Sequence, residues 1–367
     1  MKKLLKYLAL MLMFIIGGAL GGLVMMSLFI GGGYNPMSFF LFLIGIILIF
    51  FLSIVVHEGG HLIFGLLSGY RFSSFRIGSL MLIKQNGKLR FKLLKLAGTE
   101  GQCLMTPPEG DNEGSAVFYN LGGVFMNFLS AVIFCLLYFF LPYTPVLTQL
   151  MLIAAIFSFV FALLNGIPLD TGVPNDGLNT LYLLRNPGAA KALNNQLLIA
   201  SANADGRTLS EMPEEWFTLG EDGVSKDPLC SAISVFFCNR LLEQGKLEEC
   251  KYAIESLLAS DAKLAEIHRG LLRSDLIFCT LLIDGNKAKI AHLYNDAEKQ
   301  FMKSMKTNPS VLRTEYAIML IRDKDENSAE IIKQKFEKTA RTYPYRQEIE
   351  SEHLLMNMAF ERYRSEE

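Results

Sequence analysis

The sequence predicts an α-helical polytopic membrane protein of about four spans, with a small cytoplasmic β-hairpin insertion and a C-terminal α-helical, solenoid-like (tetratricopeptide-like) domain. Three observations predict it. Hydrophobic residues make up 51% of the 367-residue chain while 19% are charged, and the two figures reconcile only by position. Residues 1–177 hold 10 Lys/Arg and 7 Asp/Glu, whereas residues 178–367 hold the other 25 and 29, so an apolar half precedes a water-soluble one. In the polar half, turn-like segments recur about every 40 residues. The overall charge of −1 argues against nucleic acid as a partner.

A basic start, Met1-Lys2-Lys3-Leu4-Leu5-Lys6, leads into an apolar run from about Leu8 to Ile30. That run is too long for a signal-peptide core and no A-x-A site follows it, so it reads as a retained span. With the turn Gly31–Pro36 it forms the first region, residues 1–36. A second run, Ser38 to about Leu67, is long enough to tilt or to project beyond the bilayer.

Residues 70–112 carry seven cations. Asn86-Gly87 separates Ser79–Lys84 from Lys88–Leu93, which predicts a hairpin over about 79–93. Its second strand alternates basic and apolar residues, so one face can touch lipid or protein and the other water or phosphate. Spans three and four follow, about Ala116–Leu141 and Leu147–Leu164. The fourth ends in Asn165-Gly166-Ile167-Pro168-Leu169-Asp170-Thr171-Gly172-Val173-Pro174-Asn175-Asp176-Gly177, which stops any regular helix. A polar helix is expected from Leu178 onward.

The membrane core is thus expected over 37–180, a linker over 181–228, and a helical-repeat domain over 229–367. The repeat rests on the likeness of Leu241–Lys246 to Leu281–Asn286 and on a third turn, Arg322-Asp323-Lys324-Asp325. The six cysteines form no CxxC pair and read as reduced thiols. By the positive-inside rule the basic start and the seven-cation loop are cytoplasmic. Four spans then place the helical tail on the same side, in a multi-pass protein of the cell membrane.

The chemistry-bearing text is His57-Glu58-Gly59-Gly60-His61, an HExxH run inside the second span. On a helix, positions i and i+4 share a face, so His57 and His61 can hold one metal ion, with Glu58 beside them as a base for metal-activated water. Ionisable groups are expensive in lipid, which makes this run a functional candidate by default. The other histidines, His268, His292 and His353, all lie in the polar half. Asp170 and Asp176, where the helix breaks after span four, remain as candidate third ligands.

This pattern resembles the site-2 protease family of intramembrane zinc metalloproteases. The HExxH run matches the family's zinc motif. Gly122-Gly123-Val124-Phe125-Met126-Asn127 is similar to its Gly-Gly-x-x-x-Asn segment, without the usual proline after the glycines. Asn165-Gly166-Ile167-Pro168 followed by Asp176-Gly177 is similar to its Asn-x-x-Pro…Asp-Gly segment, with a longer interval before the aspartate. The resemblance implies one catalytic Zn2+ held by His57, His61 and Asp176, with Asp170 as rival, and Glu58 as catalytic base. Asn127 and Asn165 would position an unwound substrate backbone, or only bond neighbouring helices. The implied substrates are membrane-anchored regulators, such as anti-sigma factors, or signal-peptide remnants. The hairpin can add a substrate strand by β-augmentation, and the helical domain can hold a protein partner. The competing expectation is a non-catalytic membrane scaffold whose helical tail recruits partners.

Overall fold

A computed structural model describes residues 36–94, 100–108, 113–170, 174–218 and 227–365, together with Gly18 and Gly22. The expected first span lies outside these residues apart from the two glycines. The chain divides into two compact units.

The first unit comprises residues up to Tyr70, Glu100–Cys103 and Gly114–Leu184. It is built on helices α1 (Pro36–Leu67), α2 (Glu113–Phe140) and α3 (Pro145–Gly166), followed by the short α4 (Asp176–Arg185). Among the described residues, three helical stretches are long and apolar enough to cross a membrane: Met37–Leu67, Gly114–Phe140 and Val146–Gly166. Each of α1 and α3 starts on a proline, whose missing N–H costs nothing in a first turn. With 32 residues α1 is about 48 Å long at 1.5 Å per residue, well beyond a hydrocarbon core of about 30 Å. Phe42 and Ile153 are buried where α1 meets α3, while Phe40, Leu48, Phe139 and Phe140 stay exposed, as lipid-facing side chains should. Helix α3 stops because Pro168 bars continuation, and Ile167, already extended, donates a last bond to the Leu163 carbonyl.

The second unit holds Arg71–Thr99, Leu104–Glu113 and Arg185–Glu367. Strands β1 (Arg71–Ile77), β2 (Leu80–Gln85), β3 (Lys88–Leu93) and β4 (Gly101–Thr106) form a four-stranded sheet in the order β3-β2-β1-β4, so β4, shared between the units, is an edge. The expected hairpin is β2–β3, antiparallel with Gln85 opposite Lys88. Asn86 and Gly87 both take positive φ, 50° and 76°, which a two-residue turn of this hand requires. The insertion is larger than the expected hairpin. Strand β1 escaped notice because its buried residues include Ser73, Ser74 and Arg76, which break the apolar alternation. On β3, Leu89, Phe91 and Leu93 are all exposed. Met81 and Ile83 of β2 instead bury against Ala204.

Ala204 ends α5 (Pro187–Ala204), a full helix within the stretch expected as linker. Eight further helices follow: α6 (Pro228–Glu243), α7 (Leu247–Ala259), α8 (Glu266–Ile283), α9 (Lys287–Leu293), α10 (Asp296–Ser304), α11 (Pro309–Ala317), α12 (Glu326–Ala340) and α13 (Arg346–Arg364). The three expected corners are all tight turns: Gly245, Gly285 and Lys324 have φ of 70°, 57° and 55°. The pairs are not strictly regular, since α10 is interposed and α11 runs into a π-helical turn, Ile318–Arg322. Helix α8 is the centre of the core: Ser274 to Leu282 are buried without a break. All six thiols are free; Cys135 on α2 is exposed and the other five are buried.

One charged cluster lies inside this helical core. Arg313, fully buried over the Phe278 ring, donates from Nη2 to Asp275 Oδ1 at 2.6 Å and from Nε to Glu352 Oε2 at 2.9 Å. Burial pushes the Glu352 carboxyl up to about 7 against the pull of Arg313, and raises Asp275 and the nearby Glu348 as well. A carboxyl with a higher pKa in the folded chain than in the unfolded one favours folding at low pH, and that contribution is lost as pH rises through its folded value. Thermal unfolding of the purified chain, followed by circular dichroism, is therefore expected to show stability falling between pH 5 and pH 8, with Glu352→Gln flattening the slope.

Candidate metal centre

Helix α1 carries His57 and His61 on one face, and both rings are buried. Their Nε2 atoms are 3.3 Å apart. Asp176, the first residue of α4, brings Oδ2 to 3.0 Å from His57 Nε2 and 3.4 Å from His61 Nε2. These three atoms form a nearly equilateral triangle. A tetrahedral zinc centre with ligand bonds of about 2.0–2.1 Å has ligand-to-ligand edges of about 3.3–3.4 Å, so the triangle is the size of one tetrahedral face. Two imidazoles and a carboxylate are also a catalytic zinc donor set, leaving a fourth position open. Asp176 Oδ2 is buried and accepts no hydrogen bond from the described residues, as a ligand atom should.

The other nitrogen of each ring is tied down. His61 Nδ1 lies 2.9 Å from the Tyr119 carbonyl, which can only accept, so Nδ1 carries the proton and Nε2 presents its lone pair. His57 Nδ1 lies 3.1 Å from Asn127 Nδ2, while Asn127 Oδ1 is buried without a partner. Turning the Asn127 amide by 180° resolves both: Nδ1–H then donates to Oδ1, and His57 takes the same tautomer as His61.

Close helix contact makes this geometry possible. A Cβ on Gly60 would collide with the Gly122 backbone, and one on Gly122 with that of Gly60, so α1 and α2 cross backbone to backbone there. A Cβ on Gly123 would fall 2.6 Å from His57 Cε1 and 2.7 Å from His61 Nε2. Glu58, buried beside the pair, faces the start of β4, where a Cβ on Gly101 would strike its carboxylate. Tyr119 holds that strand by donating from its hydroxyl to the Cys103 carbonyl at 2.6 Å, and its ring stacks on Tyr70 at 5.0 Å.

Of the two candidate aspartates, Asp176 meets the histidines. Asp170 is exposed in a small bridge with Pro174. Asn165 donates to the Phe161 carbonyl of its own helix and does not face the histidines through any bond. Two asparagines without an expected role set the position of Asp176. Asn175 Oδ1 accepts from Leu169 N and Leu178 N, and its Nδ2 donates to the Leu164 and Ile167 carbonyls at 2.6 Å each. It caps α4 and closes the loop. Asn120 Nδ2 donates to the Asp176 carbonyl at 2.6 Å and to Thr180 Oγ1 at 2.8 Å. Their only sequence signal is an uncharged polar side chain next to a span or a helix start.

Fold and site together define a bundle of helices long and apolar enough to cross a membrane, with a buried group of two histidines and an aspartate that could hold a metal ion. Comparison with family models sharpens this: residues 45–152 match Peptidase family M50, the family of the site-2 proteases, so the resemblance seen in the motifs is also found by the family model. The matched segment contains His57, Glu58, His61 and Asn127, and ends before Asp176. No curated protein and no solved structure gives a significant match.

Two outcomes follow for metal content of the purified protein. Asp176→Ala is expected to lose the ion while Asp170→Ala retains it. Asn127→Ala is expected to weaken affinity by about 10–100-fold, the usual cost of removing a group that orients a ligand, measured by competition with a chelator.

Proposed function

We propose that the chain is an intramembrane zinc metalloprotease that cleaves membrane-anchored regulatory proteins or signal-peptide remnants within or near the bilayer. The observation that carries this reading is the triangle of His57 Nε2, His61 Nε2 and Asp176 Oδ2, with Glu58 beside it. Zinc bound there supplies a Lewis acid for the scissile carbonyl and lowers the pKa of the attacking water.

The remaining work falls to the protein. Glu58 takes the proton from the attacking water and returns it to the leaving amine. The Tyr119 carbonyl and Asn127 hold both imidazoles in one tautomer, with Nδ1 protonated and the Nε2 lone pairs turned toward the ion. Asn175 and Asn120 hold the carboxylate of Asp176 in place. A helical substrate hides its peptide carbonyls and must unwind before cleavage. Strand β4, at the edge of the sheet and beginning at Gly101 against Glu58, is the strand to which an unwound substrate segment adds. This moves the β-augmentation role from the β2–β3 hairpin to the other edge. Charge distribution favours a cytoplasmic amino terminus and helical domain.

Glu58→Gln tests the reading. With a transmembrane peptide substrate in detergent, cleavage is expected to fall by about 10²–10⁴-fold, the span of general acid–base catalysis, with metal content unchanged. Cleavage that persists at the parent rate, or a purified parent protein that binds no metal, would leave the scaffold reading in its place. Gln102→Pro in β4 is expected to slow cleavage more than Arg90→Pro in β3, with zinc retained in both.

A further inference from the structure

Strands β1 and β2, the segment that follows β4, and helix α5 enclose a groove of about 820 Å³ in the second unit. Four cations line it, Arg71, Lys84, Lys191 and Arg207, and each is exposed. The lining holds one carboxylate, Asp205, whose Oδ1 already accepts from Asn86 N at 3.1 Å. Among the described residues the side chains of Arg71, Lys84 and Lys191 make no hydrogen bond or ion pair, and Arg207 has Glu211 near it, outside the lining. Residues 178–367 as a whole carry 29 acids against 25 cations, so this excess of positive charge is local.

The walls are fixed by bonds that leave the cations uncommitted. Lys191, Asn195, Leu198, Ala202 and Asp205 recur every three or four positions and so share one face of α5 and its cap. Thr106 Oγ1 and Ser201 Oγ lie 2.7 Å apart and tie the end of β4 to that helix. Asn195 Nδ2 donates to the Trp216 carbonyl at 3.1 Å and holds the 3₁₀ turn Glu214–Phe217. Trp216 packs on the buried cluster of Ile199, Ala202, Met212 and Phe217, and it also lines the groove. Phe72 contributes a second ring to the lining.

A concave surface lined by one sign of charge focuses its field and concentrates ions of the opposite sign. A phosphate monoester brings about −1.5 to −2 charge and three acceptor oxygens, which suits two guanidinium forks and two ammonium groups better than a single carboxylate does. The volume falls within the range of about 300–1,000 Å³ usual for organic ligands, and the two rings offer apolar surface to an organic remainder. We propose that this groove binds an organic phosphate bearing two or more negative charges. Its phosphate oxygens accept from the cations of the lining, and its organic part rests on Trp216 and Phe72. Arg71 follows by four residues Leu67, where a helix long enough to cross a membrane ends, so a lipid headgroup is one source of such a phosphate. A free nucleotide is the other.

The test is calorimetric titration of the full-length, metal-loaded chain in detergent with two water-soluble probes, ADP and dihexanoyl phosphatidate. Adenosine and dihexanoyl phosphatidylcholine, which carry no net negative charge, are titrated in parallel. Single-site binding of at least one probe with Kd below about 1 mM is expected, at least about tenfold tighter than its uncharged counterpart. Binding of ADP alone assigns the groove to a free phosphate, of phosphatidate alone to a headgroup, and of both to the chemistry they share. Lys84→Gln with Lys191→Gln is expected to weaken binding at least about tenfold with the melting temperature retained. Lys84→Arg with Lys191→Arg, and the remote exposed pair Lys303→Gln with Lys306→Gln, are expected to keep the parent affinity, as is the chain stripped of metal by a chelator. The proposal is overturned if neither probe binds, if the counterparts bind as tightly, or if the Lys84/Lys191 glutamine pair keeps the parent affinity. It is equally overturned if the remote pair loses as much, or if stripping the metal abolishes binding and so puts the phosphate on the metal centre. The expected binding needs neither ion nor cleavage, so its failure and that of the protease reading are distinguishable.

Discussion

Two imidazoles and the Glu58 carboxylate lie buried, with Asp176 partly buried beside them, in a bundle whose outer faces are apolar, and that is the constraint on which the membrane unit depends. Taking such groups out of water costs several kcal/mol each unless their remaining atoms are bonded. The bundle meets the requirement by bringing backbones together. At the Gly60–Gly122 crossing the two helices come close enough for the Tyr119 carbonyl to reach His61 and for Asn127 to reach His57. The third arm arrives from an irregular segment, and irregular backbone near a bilayer is tolerated only where its polar groups are satisfied. Asn175 satisfies four of them with one side chain.

The helical unit meets the same difficulty by a different route. Its core encloses a guanidinium and several acids, and they are paired with each other. Pairing is incomplete there, with acids in excess and one guanidinium nitrogen unmatched. In the membrane unit Asp176 Oδ2 is among the buried atoms without a hydrogen bond, and it lies on the triangle an ion would complete.

Much of this was legible in the sequence because it depends on short-range geometry. The histidine pair follows from the i to i+4 repeat of a helix. Asn86-Gly87 encodes its turn directly, and Gly245, Gly285 and Lys324 occupy corners that require positive φ. What stayed hidden depends on tertiary partners. Strand β1 buries serines and an arginine, so its pattern does not read as a strand. Helix α5 lies in text that is polar enough to pass for a linker, yet Ile199 and Ala202 are buried. Asn165 sits in a recognisable motif but bonds its own helix, whereas Asn175 and Asn120, which position the aspartate, carry no local mark. The choice between Asp170 and Asp176 likewise depended on which carboxylate the tertiary fold brings to the histidines.

The distribution of thiols has a practical consequence. Five of the six cysteines are buried, four on packed helices and Cys103 on strand β4, and Cys135 opens only onto the apolar flank of α2. A water-borne alkylating reagent therefore finds no accessible sulfur while the chain is folded, and adduct formation becomes a stopwatch for the opening of each unit. A lipid-soluble maleimide, by contrast, marks a single residue and reports the surroundings of one span without any engineered label.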